Sequence, residues 1–285
     1  MKSLSDTYSL SNGVKIPIVG FGTYSLNGEE GARKIEEAIK IGYRCFDTAH
    51  GYENEDSVGL AFRRSGIKRE DLFVMSKLPN GSHSYEKAHQ AFNESMENLG
   101  LDYMDLYLIH WACPVCIRDR WEEANTGTWK AFEEILESGR AKAIGLSNFL
   151  PHHIEPILKT AKILPMANQM RLCPGDDGTA QDDISRYCEK LGMRMISYNP
   201  LDSGRILNIP ELKELAEKYN KGVNQIALRW HIQKGFVPLP RTQNIERMKS
   251  NADLFDFTLS DEDVEYITSL KNCCDPAPNP DTSQW

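Results

Sequence analysis

The chain has 285 residues, enough for one large α/β domain, since barrels of about 250 residues fold around a single core. Its 41 acidic and 33 basic residues give a formal charge of -8, which argues against nucleic acid or an anionic membrane surface as partner. Any anionic ligand therefore needs a local basic patch. The N-terminal MKSLSDTYSL has no apolar run and no later segment approaches the ~18 apolar residues of a membrane span, so a soluble, unexported protein is expected. Seven scattered cysteines suit free thiols in a reducing cytoplasm better than a disulfide framework.

In chain order, residues 7–17 read as two short strands around Asn12-Gly13, a two-residue hairpin signal, and such a hairpin can close the bottom of a barrel. Eight strand-like runs follow, at 17–22, 44–49, 72–78, 104–111, 143–147, 164–170, 193–198 and 236–241. Between them the apolar spacing is helical, as in Tyr85, Ala88, Phe92, Met96 and Leu99, or Trp129, Phe132, Ile135 and Leu136. Strands separated by helices imply parallel pairing through right-handed crossovers. Eight such repeats at this length imply a closed (β/α)8 TIM barrel spanning 1–285 as a single domain, with the N-terminal β-hairpin closing its bottom. Extra helices near 209–219 and 260–270 decorate it. A doubly wound dinucleotide-binding sheet is the competing fold. Gly20-Phe21-Gly22 is followed by Ser25 where that fingerprint requires a third Gly, and no helix begins there. The least regular stretches are 112–125 and the tail from Asn272, and loops of this length in a compact barrel tend to be functional.

Four ionisable or polar residues fall at or just beyond strand ends: Asp47, Tyr52, Lys77 and His110, with Asn54, Glu55 and Asp56 suited to the next helix N-terminus. Their contexts are Phe-Asp-Thr-Ala, Tyr-Glu-Asn-Glu, Ser-Lys-Leu and Leu-Ile-His-Trp. Their order and contexts resemble the tetrad of the aldo-keto reductase family, and the likeness runs along the whole chain. Reducing a carbonyl by hydride leaves an alkoxide, so a proton donor must stand beside the oxygen as charge builds. The resemblance makes Tyr52 that donor. Lys77 is expected to lower its pKa, Asp47 to hold Lys77 charged and in place, and His110 to orient the carbonyl.

Further resemblances imply an NADPH site. Ser147-Asn148 and Asn168-Gln169 look like the family's partners of the nicotinamide carboxamide, and Tyr198 like the ring that stacks on the nicotinamide. Leu201 and Ser203 follow in the same segment, and Gly22, Thr23 and Tyr24 match contacts after the first strand. Arg241-Thr242, then Arg247 and Asn251, resembles the phosphate and adenine clamp, beside a helix expected to start at Asn244. Tyr24 and Trp111, with Tyr52 and His110, are expected to line the substrate pocket. Arg171, Asn199 and Ser250 depart from the family's usual residues, which touches cofactor detail rather than the reaction. Cys113-Pro-Val-Cys116 and Cys273-Cys274 fall on loops over the barrel mouth. With no second Cys-x-x-Cys and no thioredoxin-like unit, they are read as ordinary thiols rather than a zinc or redox motif, and no metal is expected.

The resemblance thus implies an NADPH-dependent reductase, monomeric by family habit, that takes a small aldehyde, dicarbonyl or sugar as substrate. A noncatalytic NADPH-binding sensor or structural protein on the same fold is the alternative. A metal-dependent barrel lyase or hydrolase lacks any His-x-His or paired strand-end carboxylates.

Overall fold

The computed structural model describes residues 3–176 and 178–284. β1 (Thr7–Ser9) and β2 (Lys15–Pro17) pair antiparallel, Thr7 opposite Pro17. Their connection differs from the two-residue turn expected from Asn12-Gly13. The Gly13 N–H donates to the Leu10 carbonyl and the Leu10 N–H to that of Val14, with Gly13 at φ 88° and Asn12 outside the left-handed region. A three-residue loop with its glycine left-handed fits these bonds; a type I′ turn needs both central residues there. The hairpin lies against the N-terminal ends of the barrel strands: Asn12 Nδ2 donates to the Lys142 carbonyl and the Tyr8 hydroxyl to that of Ile232.

The eight expected strands then appear as β3 (Phe21–Gly22), β4 (Cys45–Asp47), β5 (Phe73–Leu78), β6 (Leu106–Ile109), β7 (Ile144–Ser147), β8 (Ala167–Arg171), β9 (Arg194–Tyr198) and β10 (Val237–Leu239). Each pairs in parallel with the next. The ring is completed by backbone bonds from Gly20 N to the Pro238 carbonyl (3.0 Å) and from Gly22 N to that of Pro240 (3.2 Å). The helices between are α1 (Gly28–Ile41), α2 (Glu55–Ser65), α3 (Tyr85–Leu99), α4 (Trp121–Glu137), α5 (Pro151–Thr160) and α6 (Gly178–Lys190). They continue as α7 (Pro210–Tyr219), α8 (Val223–Gln233), α9 (Ile245–Ala252) and α10 (Asp261–Ser269). α7 and α10 are the two extra helices. Among the described residues no helix is long and apolar enough to cross a membrane.

α3 and α4 bury most of the stripe their spacing predicts. On α3, Ala88, Phe92, Met96 and Leu99 are buried, Ser84 caps the start by accepting from the Lys87 N–H, and Gly100 ends it. The stretch 112–125, expected as loop, is more ordered: a 3-10 helix covers Val115–Arg120 and α4 has begun by Trp121. The tail after α10 is irregular but tied down. Arg118 donates to the Ser283 carbonyl, and Asp281 accepts from Nε2 of both His152 and His153. The Leu150 N–H donates to His153 Nδ1, which leaves the Nε2 proton for Asp281.

Candidate active site

Successive strand residues point to opposite faces, which sorts the polar residues of the barrel. Asp47, Lys77 and Gln169 face the lumen. Ser76 and Asn168, one residue before Lys77 and Gln169, face outward: Ser76 Oγ donates to Glu55 Oε1 of α2, and Asn168 Nδ2 to the Phe149 carbonyl. The expected Asn168-Gln169 pair is therefore divided, and only Gln169 reaches the site.

Lys77 is the hub. Its Nζ donates to both Asp47 oxygens at 2.8 Å, to the Thr48 carbonyl at 2.9 Å and to the Tyr52 hydroxyl at 3.2 Å. Gln169 Nε2 adds a bond to Asp47 Oδ1 at 2.8 Å. Burial pulls the Lys77 pKa below its ordinary value, while the Asp47 carboxylate pulls it back. Tyr52 differs from expectation. Burial, reinforced by Asp47, holds its phenol well above the ordinary value of 10.0 instead of Lys77 lowering it. Desolvation of a phenolate outweighs one nearby cation that is already neutralised by a carboxylate. The phenol is thus a proton-loaded group at neutral pH.

The His110 ring lies 5.7 Å from that of Tyr52, centroid to centroid, and Tyr24, 62% exposed, packs on the other side at 5.1 Å. Burial and the Lys77 charge push His110 well below the usual histidine range, so its imidazole is neutral. A neutral ring still offers one N–H to a carbonyl oxygen. Trp111, the next residue, is buried.

A second group adjoins the first. Asn148, at φ 59°, donates to the His110 carbonyl at 2.9 Å and to Ser147 Oγ at 3.1 Å, and its Oδ1 accepts from the Tyr198 hydroxyl at 2.9 Å. This set holds neutral donors and acceptors, suited to an amide ligand and a stacked ring. Around the rim, Thr242 Oγ1 accepts from the Asn244 N–H and Asn244 caps α9 by accepting from the Arg247 N–H at 3.0 Å. The Arg247 side chain is exposed and unpaired among the described residues. Arg241 is engaged: Nε donates to the Tyr24 carbonyl (2.8 Å) and Nη2 to Ser25 Oγ (2.7 Å). Asn251 is buried, its Oδ1 accepting from Asn224 Nδ2 of α8. An open helix N-terminus with an unpaired guanidinium matches a phosphate-bearing ligand. Leu201 and Ser203 lie in the loop after β9, where the Ser203 N–H donates to Asn199 Oδ1. Gly22 and Thr23 complete the first loop, Thr23 Oγ1 donating to the Asp47 carbonyl.

Three contributors escape sequence reasoning. Asn54 is no side-chain cap: it accepts from Thr48 Oγ1 and donates to the Thr23 and Leu26 carbonyls, clamping the first two loops together. The Thr48 carbonyl holds Lys77, and Asn224 supports Asn251; a backbone acceptor and a residue on a distant helix leave no motif. Cys113 and Cys116 diverge, the first buried and the second exposed with its thiol on the Asn80 carbonyl.

The family model "Aldo/keto reductase family" matches residues 18–272. The chain is 42% identical over 280 residues to the glyoxal reductase of Bacillus subtilis (strain 168), covering 98% of each. Among solved structures it is similar to MGS-M4, an aldo-keto reductase from a Medee basin deep-sea metagenome library (TM-score 0.91, 37% identity, 98% of this chain and 100% of that one). It is also similar to a Gox0644 mutant in complex with NADPH (TM-score 0.89, 32% identity, 98% and 99%). With a barrel that closes in the expected order, a lysine-centred polar group at its mouth and a family model covering most of its length, the chain belongs to the aldo/keto reductase family of NADP-dependent oxidoreductases.

Proposed function

We propose that the protein reduces small aldehydes or dicarbonyls to alcohols with NADPH, and that Tyr52 delivers the proton. The observation that carries this is the Asp47–Lys77–Tyr52 chain with neutral His110 alongside. The glyoxal reductase similarity supports a dicarbonyl in particular.

In this reading Ser147, Asn148 and Gln169 take the carboxamide end of the cofactor and the Tyr198 ring sets the nicotinamide face. Leu201 and Ser203 with Gly22, Thr23 and Tyr24 flank its middle, and Arg241, Thr242, Arg247 and Asn251 hold the phosphate and adenine end. Bound NADPH supplies a hydride. The His110 N–H positions the substrate oxygen, and Tyr24 and Trp111 wall the pocket. As negative charge gathers on that oxygen, the Tyr52 hydroxyl gives up its proton, because an alkoxide is a far stronger base than a phenolate. Lys77 then faces the phenolate, and Asp47 and the Thr48 carbonyl keep the ammonium in place. Gln169 is bonded to Asp47 here, so its carboxamide role requires it to share or exchange that bond. The thiol content suits work in the cytoplasm, and the family resemblance makes a monomer the default.

The test is NADPH oxidation with purified protein across aldehydes including glyoxal. Activity is expected to vanish in Tyr52→Phe while NADPH binding persists. Full activity in that variant defeats the proton assignment, and NADPH binding without turnover of any carbonyl favours the sensor alternative.

A further inference from the structure

The end of β8 and the C-terminal tail meet in a group of charges and thiols that carbonyl reduction does not use. Buried Arg171 donates from Nη2 to Asp202 Oδ1 at 2.6 Å and from Nη1 to the Asp275 carbonyl at 2.5 Å. Asp275 returns the contact: its N–H donates to Asp202 Oδ2 at 3.2 Å and its carboxylate pairs with Arg205 at 2.7 Å. Asp202 stands between Leu201 and Ser203, in a loop that holds Asp202, Ser203 and Gly204 at φ 45°, 53° and 93°. The tail and that loop are thus held by one set of bonds.

The residues next to these ties are cysteines. Cys173, two beyond Arg171, is buried, and Cys274, the residue before Asp275, lies close enough for the two thiols to interact. Cys274 is only partly buried, and its Sγ also donates to the Pro174 carbonyl at 2.9 Å. The Cys273 N–H donates to the Gly175 carbonyl at 2.7 Å, so the tail backbone runs alongside 173–175. The other candidates point elsewhere: Cys273 Sγ lies on the Lys271 carbonyl and Cys116 Sγ on that of Asn80.

We propose that Cys173 and Cys274 form a reversible oxidation site, closed to a disulfide by small-molecule disulfides of the glutathione class, which fixes the tail and slows cofactor release. The coupling to release rests on the cofactor reading above; the thiol site does not. The accessible Cys274 loses its proton to solvent and attacks one sulfur of the small disulfide, expelling one small thiol. Cys173 then loses its proton and attacks Cys274 Sγ, expelling the second. Two protein thiols are oxidised and one disulfide becomes two thiols. Cys274 is the more exposed of the two, which makes it the first attacker, while the neighbouring Cys274 thiol and burial hold the Cys173 thiol well above its usual pKa. A covalent link at 274 keeps Asp275 on Asp202 and Arg171, so the 201–204 loop opens less readily.

Full-length protein is incubated with glutathione disulfide, remaining thiols are blocked, and peptides are mapped by mass. A 173–274 link is expected in wild type and in Cys273→Ser, and in neither Cys173→Ser nor Cys274→Ser. A 273–274 or 113–116 link, or a persistent glutathione adduct, overturns the site. NADPH binding to the reduced and oxidised forms is then compared by fluorescence titration, with release followed by stopped flow. Oxidation is expected to tighten binding about tenfold, mainly through slower release. Reciprocally, saturating NADPH is expected to lower the reduction potential of the pair by about 30 mV. A 173–274 link that leaves affinity and potential unchanged overturns the coupling. A protein that forms the link but binds NADPH in neither state overturns the cofactor reading and the coupling with it, while the thiol site stands.

Discussion

Arg247→Ala isolates the phosphate end of the proposed cofactor site. Arg247 lies in the first turn of α9, is exposed, and has no side-chain partner among the described residues. Alanine there breaks no internal contact and suits a helix, so thermal stability should hold. The loss then falls on the ligand. A charge-assisted hydrogen bond contributes roughly 1.5–3 kcal/mol, and about 1.4 kcal/mol is tenfold in affinity, so NADPH binding should weaken about 10- to 100-fold. NADH lacks the 2′-phosphate and should bind as before. Arg241→Ala is the contrast: it also frees the Tyr24 carbonyl and Ser25 hydroxyl, so both cofactors should suffer. Quenching of intrinsic fluorescence measures all six affinities, two cofactors against wild type and both variants. Equal losses of NADPH and NADH in Arg247→Ala, or tighter NADH than NADPH binding by wild type, would refute the assignment.

Lys77→Met should abolish turnover and lower stability by about 3–5 kcal/mol, because it strands the buried Asp47 carboxylate; an unchanged urea midpoint counts against it. Gly59→Ala should destabilise by about 1–3 kcal/mol, since a Cβ there stands 2.1 Å from the Leu99 carbonyl oxygen and must push α2 off α3; a wild-type melting curve contradicts that. His83 supplies a pH prediction. Burial pushes its pKa down from 6.5 to about 4, with Nδ1 bonded to Asn125 Oδ1 and Nε2 buried without a partner. The unfolded chain therefore binds the extra proton first. Stability of up to roughly 3 kcal/mol is present above pH 6.5, declines below it, and is gone once the pH has fallen through about 4. Urea midpoints across that range should slope less in His83→Gln than in wild type, and parallel slopes exclude the assignment.

Where the sequence was informative, local rules were enough. Strand residues such as Phe73 to Leu78 are buried on both faces and stand out as apolar runs, and Ser84 and Gly100 mark the ends of α3. Asp47 and Lys77 stood out by the resemblance of their contexts and their place near strand ends, and the fold brings the two side chains together. Most of the misses come from contacts between distant segments. The hairpin is the local exception, its loop length set by the Leu10 N–H bond to the Val14 carbonyl and the Gly13 N–H bond to that of Leu10 rather than by Asn-Gly alone. Asn54 has the residue type and place of a helix cap, yet the nearby Thr23 and Leu26 carbonyls claim its side chain. The raised Tyr52 pKa reflects burial of its hydroxyl beside Asp47, a juxtaposition of separate strands and loops that no spacing encodes. Likewise nothing in the order of residues places Cys274 against Cys173.

Arg241 joins two ends of the molecule's work. The guanidinium proposed to face the cofactor's phosphate region also bonds the Tyr24 carbonyl, and the Tyr24 ring packs on Tyr52 at the proposed substrate entrance. Reshaping the entrance for another substrate therefore disturbs the anion grip, and swapping one nucleotide for another disturbs the entrance. On the proposed site, substrate range and cofactor preference form one design variable, and a library that varies residues 24 and 25 alone is expected to drift in both.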